Sequence, residues 1–162
     1  MTKHRYLGLF VGWKEPLWVQ SALNEGASVN TPKDYKEKYG INHSPLHLAA
    51  LLDDCAEIVP LLIEKGKAEV DVRAHMQPFF TPLQLSAAIG KVEMVEALLR
   101  YGADPRKTVN LSDPESCVSV FHPNALDLAR HMKHDDVVAA LEKHNVNALN
   151  ISLRIYSEHT SQ

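Results

Sequence analysis

The feature of this sequence that most restricts its fold is a pattern that occurs three times, beginning at residues 44, 81 and 124. Each copy starts with Ser, Thr or Asn and continues through small residues and leucines two positions apart. A second apolar segment at helical spacing follows each copy. The pattern predicts pairs of short helices, and since one pair cannot bury its apolar face alone, neighbouring pairs must stack.

Residues with known capping preferences mark the ends of the predicted helices. Ser44, Thr81 and Asn124 stand where a side-chain oxygen can accept a backbone N–H, and a proline follows the first two at the first helical position. Gly66 and Gly102 follow the second helices of their pairs. We expect both glycines to adopt the left-handed backbone conformation that ends a helix.

The two best copies, residues 44–50 and 81–87, resemble the ankyrin repeat, and the third copy resembles the degenerate form common in last repeats. The resemblance implies an all-α solenoid of stacked helix-turn-helix pairs with long hairpin or loop connections. It implies an ankyrin-repeat domain over residues 1–144 and a C-terminal tail over residues 145–162. The units of the domain would span residues 3–30, 44–74, 81–106 and 124–144.

The chain departs from the ankyrin pattern in its connections, in one turn and in one helix. The connections at residues 31–43, 67–80 and 104–123 lengthen the repeat beyond the family's period of about 33 residues. Insertions confined to one edge often mark a binding face, and neutral loop drift is the alternative. The turn at residues 51–56 has one extra residue, and Pro60 lies inside a second helix that we expect it to strain or kink.

The resemblance also implies a surface for a partner protein. In ankyrin repeats, the two residues that follow the small pair of the first helix line a concave face, together with the hairpin tips. Most of the matching residues in this chain are apolar, and contiguous exposed apolar area often marks an interface. The matching residues are Leu51, Leu52, Ala88, Ile89, His131 and Met132, and we expect Phe10 and Val11 as their counterparts in the first unit.

Aromatic residues on the long connections are candidate anchors for the same partner, because aromatic side chains contribute strongly to many protein interfaces. The alternative for the phenylalanines among them is that they fold back over their own loops. Trp13 and Trp18 are expected in the core of the first unit. The candidate anchors are Tyr35, Tyr39, Phe79, Phe80 and Phe121.

One cluster of potential metal ligands lies near the third copy, at His131, His134, Asp135 and Asp136. In the ankyrin register, His134 is the turn histidine between two helices, and Asp135 begins the second helix, where its charge suits the helix dipole. The sequence places no third ligand beside the two histidines. We therefore expect the chain to bind no metal or cofactor. The alternative is a metal-dependent accessory enzyme that uses residues 131–136.

A cysteine and a histidine could also be interpreted as a nucleophile and its base, namely Cys55 and His47. In the ankyrin repeat, however, the histidine of the Pro-Leu-His turn typically hydrogen-bonds to nearby backbone. The sequence supplies neither an oxyanion hole nor an orienting third residue. We therefore expect no enzymatic activity.

Composition limits the classes of partner. The net charge of −3 provides no broad positive field for nucleic acid, and no apolar run has the length of a membrane span or a secretory leader. Cys55 and Cys117 match neither a CxxC motif nor a zinc-site spacing, and we expect both to be reduced and inert. We expect a cytoplasmic monomer that binds another protein as an inhibitor, a regulator or, inside a host cell, a secreted effector. The alternative is a structural subunit that oligomerises through the tail, where Leu149, Ile151, Leu153 and Ile155 alternate with other residues.

Overall fold

Helix pairs make up the part of the chain that the computed structural model describes, which is residues 7, 11, 14–29, 43–74, 79–109 and 123–145. These residues contain no strand, and Leu7 and Val11 are helical. The helices are α1 (Pro16–Asn24), α2 (Pro45–Leu51), α3 (Ile58–Pro60, continued by a π-helical turn at Leu61–Lys65), α4 (Pro82–Ile89), α5 (Val92–Arg100), α6 (Ala125–His131) and α7 (residues 135–145). Together with α1, Leu7 and Val11 belong to the first pair, and the later pairs are α2 with α3, α4 with α5, and α6 with α7.

The pairs stack in chain order, which confirms the predicted all-α repeat fold. Helix α4 packs against α2 on one side and α6 on the other, while α1 packs against the π-helical turn. The core between the pairs is apolar: Leu46, Leu83 and Leu98 are almost fully buried. Burying each such leucine contributes about 2 kcal/mol. Because every interface lies between neighbours, the stack sets the spacing of any residue that recurs in the first helices.

The predicted caps are present at all three first helices. Ser44 accepts the backbone N–H of His47, and Thr81 forms a reciprocal capping box with Gln84. Asn124 caps α6 in the same way, with Asp127 in place of the glutamine. These bonds satisfy N–H groups that have no partner inside the helix, so the local sequence defines where each first helix begins.

A left-handed residue closes the turn between the two helices of every pair. Lys14, Asp54, Gly90 and Lys133 have φ angles of 57°, 54°, 80° and 62°. Glycine adopts this conformation without steric cost, and the other three residues accept some strain at the same point. The four positions therefore give an internal register by which the pairs can be compared.

The side chain of the residue after the left-handed position contacts backbone of the preceding pair in two of the turns. Cys55 Sγ lies 4.0 Å from the backbone oxygen of Val11. His134 donates a hydrogen bond from Nε2 to the backbone oxygen of Ala88 at 3.1 Å. The His134 ring also lies where a Cβ on Gly90 would be, 2.7 Å from Nδ1. The turns at Cys55 and His134 are thus each bonded to the pair before them.

The expectation that Gly66 is left-handed is wrong. Its φ is −78°, and the next residue, Lys67, has the left-handed conformation with φ of 59°. The π-helical turn contains one more residue than an α turn, so the left-handed position moves one residue along the chain. Glycine is required at position 66 for another reason, because a Cβ there would overlap Val29 Cγ1 and lie 2.6 Å from the backbone oxygen of Leu62.

The irregularity expected at Pro60 is a change of helix type. Pro60 is the last residue of α3, and the π-helical turn begins at the next residue. Since Pro60 lies in the first turn of its helix, its missing N–H removes no intrahelical hydrogen bond. The proline is therefore tolerated at this position.

Two of the long connections are closed at their bases by equivalent backbone bonds. The N–H of Ala74 donates to the oxygen of Phe80 at 2.9 Å, and the N–H of Val109 donates to the oxygen of Pro123 at 3.0 Å. Residues 75–78 and 110–122, which lie between these bonds, are outside the described residues. Each connection consequently enters and leaves the stack at a defined point.

Candidate functional site

Residues at the ends of the first helices form a row on the surface of the stack. Leu51, Ile89 and Met132 expose 38%, 37% and 51% of their surface. Leu52 and Ala88 are half-buried, and His131 is exposed. We call these six positions the apolar row, although His131 is its polar member.

The stacking of α2, α4 and α6 makes the row continuous along the protein. Packed helices lie about 8–10 Å apart, so the row presents an apolar side chain at roughly that interval. Leu52 also packs against the core. The row is therefore held in place by core packing, and its exposed members can be replaced without disrupting the core.

The aromatic candidates fall into two groups. Phe79 is left-handed and 39% exposed, while Phe80 is half-buried. The oxygen of Phe80 accepts hydrogen bonds from Ala74 and His47, so its backbone is fixed. Tyr35, Tyr39 and Phe121 lie outside the described residues.

The expectation that Val11 belongs to the surface row is wrong, because Val11 is fully buried. The left-handed turn at Lys14 shows why, because counting back from it gives Val11 the register of buried Ala87. The counterparts of the apolar row in the first pair are Gly12 and Trp13, outside the described residues.

Trp18 was expected in the core but exposes 56% of its surface, beside Leu17 with 77%. In the common register, Trp18 has the position of Met94, which lies at the boundary with the preceding pair. Within the residues that the structure describes, no pair precedes the one to which Trp18 belongs. Its side chain is therefore exposed there.

The imidazole of His47 links two neighbouring pairs. It is fully buried, with Nδ1 2.8 Å from Ser44 Oγ and Nε2 2.9 Å from the oxygen of Phe80. A carbonyl can only accept, so Nε2 carries the proton and Nδ1 accepts from the serine hydroxyl. With both ring nitrogens occupied, His47 has a structural role and does not act as a base for Cys55.

Gln84 has the same role one pair further along. Its Nε2 donates to the oxygen of Lys107 at 2.7 Å. Its Oε1 accepts the N–H of Thr81 at 2.9 Å. In the next pair the equivalent residue is Asp127, whose carboxylate has no proton to donate. In the pairs of His47 and Gln84, the residue three positions after the cap thus carries the bond between pairs.

The potential metal ligands near α6 are not gathered into a site. His134, the turn histidine of the ankyrin register, uses Nε2 for the oxygen of Ala88. Asp135 and Asp136 begin α7 and are exposed. Among the described residues, no three His, Cys, Asp or Glu side chains come together as they would around a metal ion.

Cys55 is buried beneath the turn of its pair, with 1% of its surface exposed. Burial is the main cause that raises the pKa of its thiol, partly offset by Lys14. The thiolate is the reactive form, so both effects of burial oppose chemistry at Cys55.

We expect Cys55 to resist alkylation in the folded protein. In a Cys117→Ser variant, iodoacetamide at pH 8 should label Cys55 at least about tenfold more slowly than it labels the same variant unfolded in urea. The increase in mass over time measures both rates. Equal rates would show that the thiol is accessible.

A cavity that the sequence did not indicate lies beside the apolar row. It has a volume of about 280 Å³ and is located between the turn after α2 and the start of α5. Leu52, Ala56 and Met94 contribute its apolar lining. The extra residue in the turn at residues 51–56 was the available signal, because an added residue widens a turn.

In the described part of the chain, no helix combines the length and the apolar character needed to cross a bilayer. Comparison with protein families finds a match to the family model for ankyrin repeats, in three copies. The matches cover residues 15–109 and 46–152, which together are well over half of the chain.

Proposed function

Since this chain belongs to the ankyrin-repeat family, whose members generally act in protein–protein interaction, we propose that it binds a partner protein through the apolar row. Ankyrin-repeat proteins are typically interaction modules without enzymatic activity. Family membership thus supports binding in general. The choice of surface is our proposal and depends on the residues of this chain.

The observation that carries the proposal is the exposure of Leu51, Ile89 and Met132 within the two adjacent positions that end three stacked first helices. Single exposed apolar residues are common on proteins, but an aligned series of them is not, because each costs free energy in water. Burial of one such side chain by a partner recovers about 1 kcal/mol or more. A row of three provides the centre of an interface.

The fold favours tight binding by this row because the row is already in place before a partner arrives. Its helices begin at satisfied caps, and Leu52 is packed against the core. A preformed surface avoids most of the entropy that a flexible one loses on binding. An inhibitor, a regulator and a secreted effector can all work in this way, and the identity of the captured partner distinguishes them.

The test replaces two exposed members of the row with aspartate. Ile89→Asp together with Met132→Asp should reduce capture of the partner from cell extract at least about tenfold, since buried charges without partners oppose association. Circular dichroism should show unchanged helix content, because both positions are exposed.

The matched control is Leu17→Asp, which also places a carboxylate at an exposed apolar position but lies on α1, a helix that carries no member of the row. This control should capture the partner as well as the unaltered chain does. If the double variant retains capture, or if the control loses it equally, the apolar row is not the binding surface.

A further inference from the structure

The turn after α2 contains a residue that the other described pairs lack. Leu52 and Ile89 share one register, and the left-handed residue follows Ile89 directly as Gly90 but follows Leu52 only after Asp53. Asp53 is therefore the inserted residue. It forms an ion pair with Lys91, the N-cap residue of α5 in the next pair. The insertion thus widens the turn and brings Asp53 into contact with the start of α5, where the cavity lies.

The cavity joins an apolar base to a charged rim. Leu52, Cys55 and Met94 line it, and Leu52 is also a member of the apolar row. With about 280 Å³ it is at or below the size of pockets that hold whole small-molecule ligands, which are roughly 300–1,000 Å³. The space suits one long side chain. Its rim consists of Asp53, Asp54, Glu57, Glu93 and Lys91.

The rim carries more negative charge than its cations offset. Lys91 is paired with Asp53. The ammonium of Lys14 lies 3.9 Å from Asp54, whose side chain is 93% exposed, so this pair compensates little. Glu57 and Glu93 form no ion pair within the described part of the chain. The rim of the pocket is therefore net negative.

Local helix stability accounts for only part of this charge. Glu93 lies in the first turn of α5, where a carboxylate interacts favourably with the helix dipole. The same reason does not extend to Asp53 and Asp54, which lie in the turn before α3. Charge and shape together describe a pocket for a side chain with an apolar stem and a positive end.

We propose that the cavity receives an arginine or lysine side chain of the protein bound on the apolar row. This proposal rests on the function proposed above and adds the chemistry of the partner. The stem of the basic residue lies along Leu52 and Met94, and its charge lies among Glu57, Glu93 and Asp54. The partner accordingly carries a basic residue next to the apolar residues that cover the row, and affinity falls as salt rises.

The test uses a phage-displayed library of random linear peptides, selected on the full chain. Peptides that lose binding to the Ile89→Asp, Met132→Asp variant should contain arginine or lysine near an apolar residue more often than the unselected library does. Glu57→Gln together with Glu93→Gln should weaken these peptides about tenfold. Asp136→Asn is the matched control, because it removes a carboxylate from the first turn of α7, outside the cavity, and it should leave their affinity unchanged.

The outcomes separate the two proposals. Row-dependent peptides without an excess of basic residues, or with equal affinity for the glutamine variant, would refute the basic pocket and leave the apolar row intact. If no recovered peptide depends on Ile89 and Met132, both proposals fail. Row-dependent basic peptides that weaken only in the glutamine variant, and less so at high salt, support the pocket.

Discussion

Replacing Gly66 with alanine is expected to lower the free energy of unfolding by about 3 kcal/mol. The added Cβ would overlap Val29 Cγ1 and approach the backbone oxygen of Leu62 to 2.6 Å. Neither neighbour can yield easily, since one is a stiff β-branched side chain and the other is backbone in the π-helical turn. Val29 comes from the preceding pair, so the overlap pushes two pairs apart. Urea denaturation followed by circular dichroism measures the loss.

Gly102→Ala is the matched control. Gly102 has φ of 86°, and a Cβ there would meet nothing within 4 Å. The only penalty is the left-handed conformation, about 1 kcal/mol. If Gly66→Ala costs no more than Gly102→Ala, close approach to Val29 and Leu62 does not explain the glycine at position 66.

Replacing His47 with alanine is expected to cost about 3 kcal/mol. The change empties a fully buried site and removes the bond between Nε2 and the oxygen of Phe80. It also leaves the hydroxyl of Ser44 without its ring acceptor. Phe80 keeps the hydrogen bond from Ala74, which limits the loss. The measurement is again the free energy of unfolding in urea.

His47→Gln tests whether the bond between pairs is the cause. Gln84 has the same register and donates to the next connection at 2.7 Å, so a glutamine at position 47 can replace the imidazole. The expected loss is about 1 kcal/mol. Equal losses for alanine and glutamine would mean that the bond to Phe80 contributes nothing and that only the volume of the ring matters.

Features that depend on nearby residues could be predicted from the sequence. The caps at Ser44, Thr81 and Asn124 involve partners three positions away, so the local pattern was sufficient. Gly102 was predicted for the same reason, because α5 is a regular helix. The backbone conformation of Gly66 was not predicted correctly, although the sequence contained a signal. Lys67 separates Gly66 from the following alanine, whereas Gly102 and its alanine are adjacent.

Features that depend on neighbouring pairs were harder to predict. The size and apolar character of Trp18 favoured the core, but within the described residues no pair precedes α1 to bury it. The cavity needed both the inserted Asp53 and its contact with Lys91, which are distant in sequence. The residues of the apolar row could be placed because their register follows directly from the helix caps. Their role in binding stays a prediction.

The backbone bonds at Ala74 and Val109 allow loop length and scaffold geometry to vary independently. One bond encloses residues 75–79 and the other encloses residues 110–122, yet both close at an equivalent position. A segment enclosed by one such bond can be lengthened, shortened or exchanged without changing how the helices are spaced. Binders with different specificities could therefore be engineered from this chain by grafting new segments there while the helices remain constant.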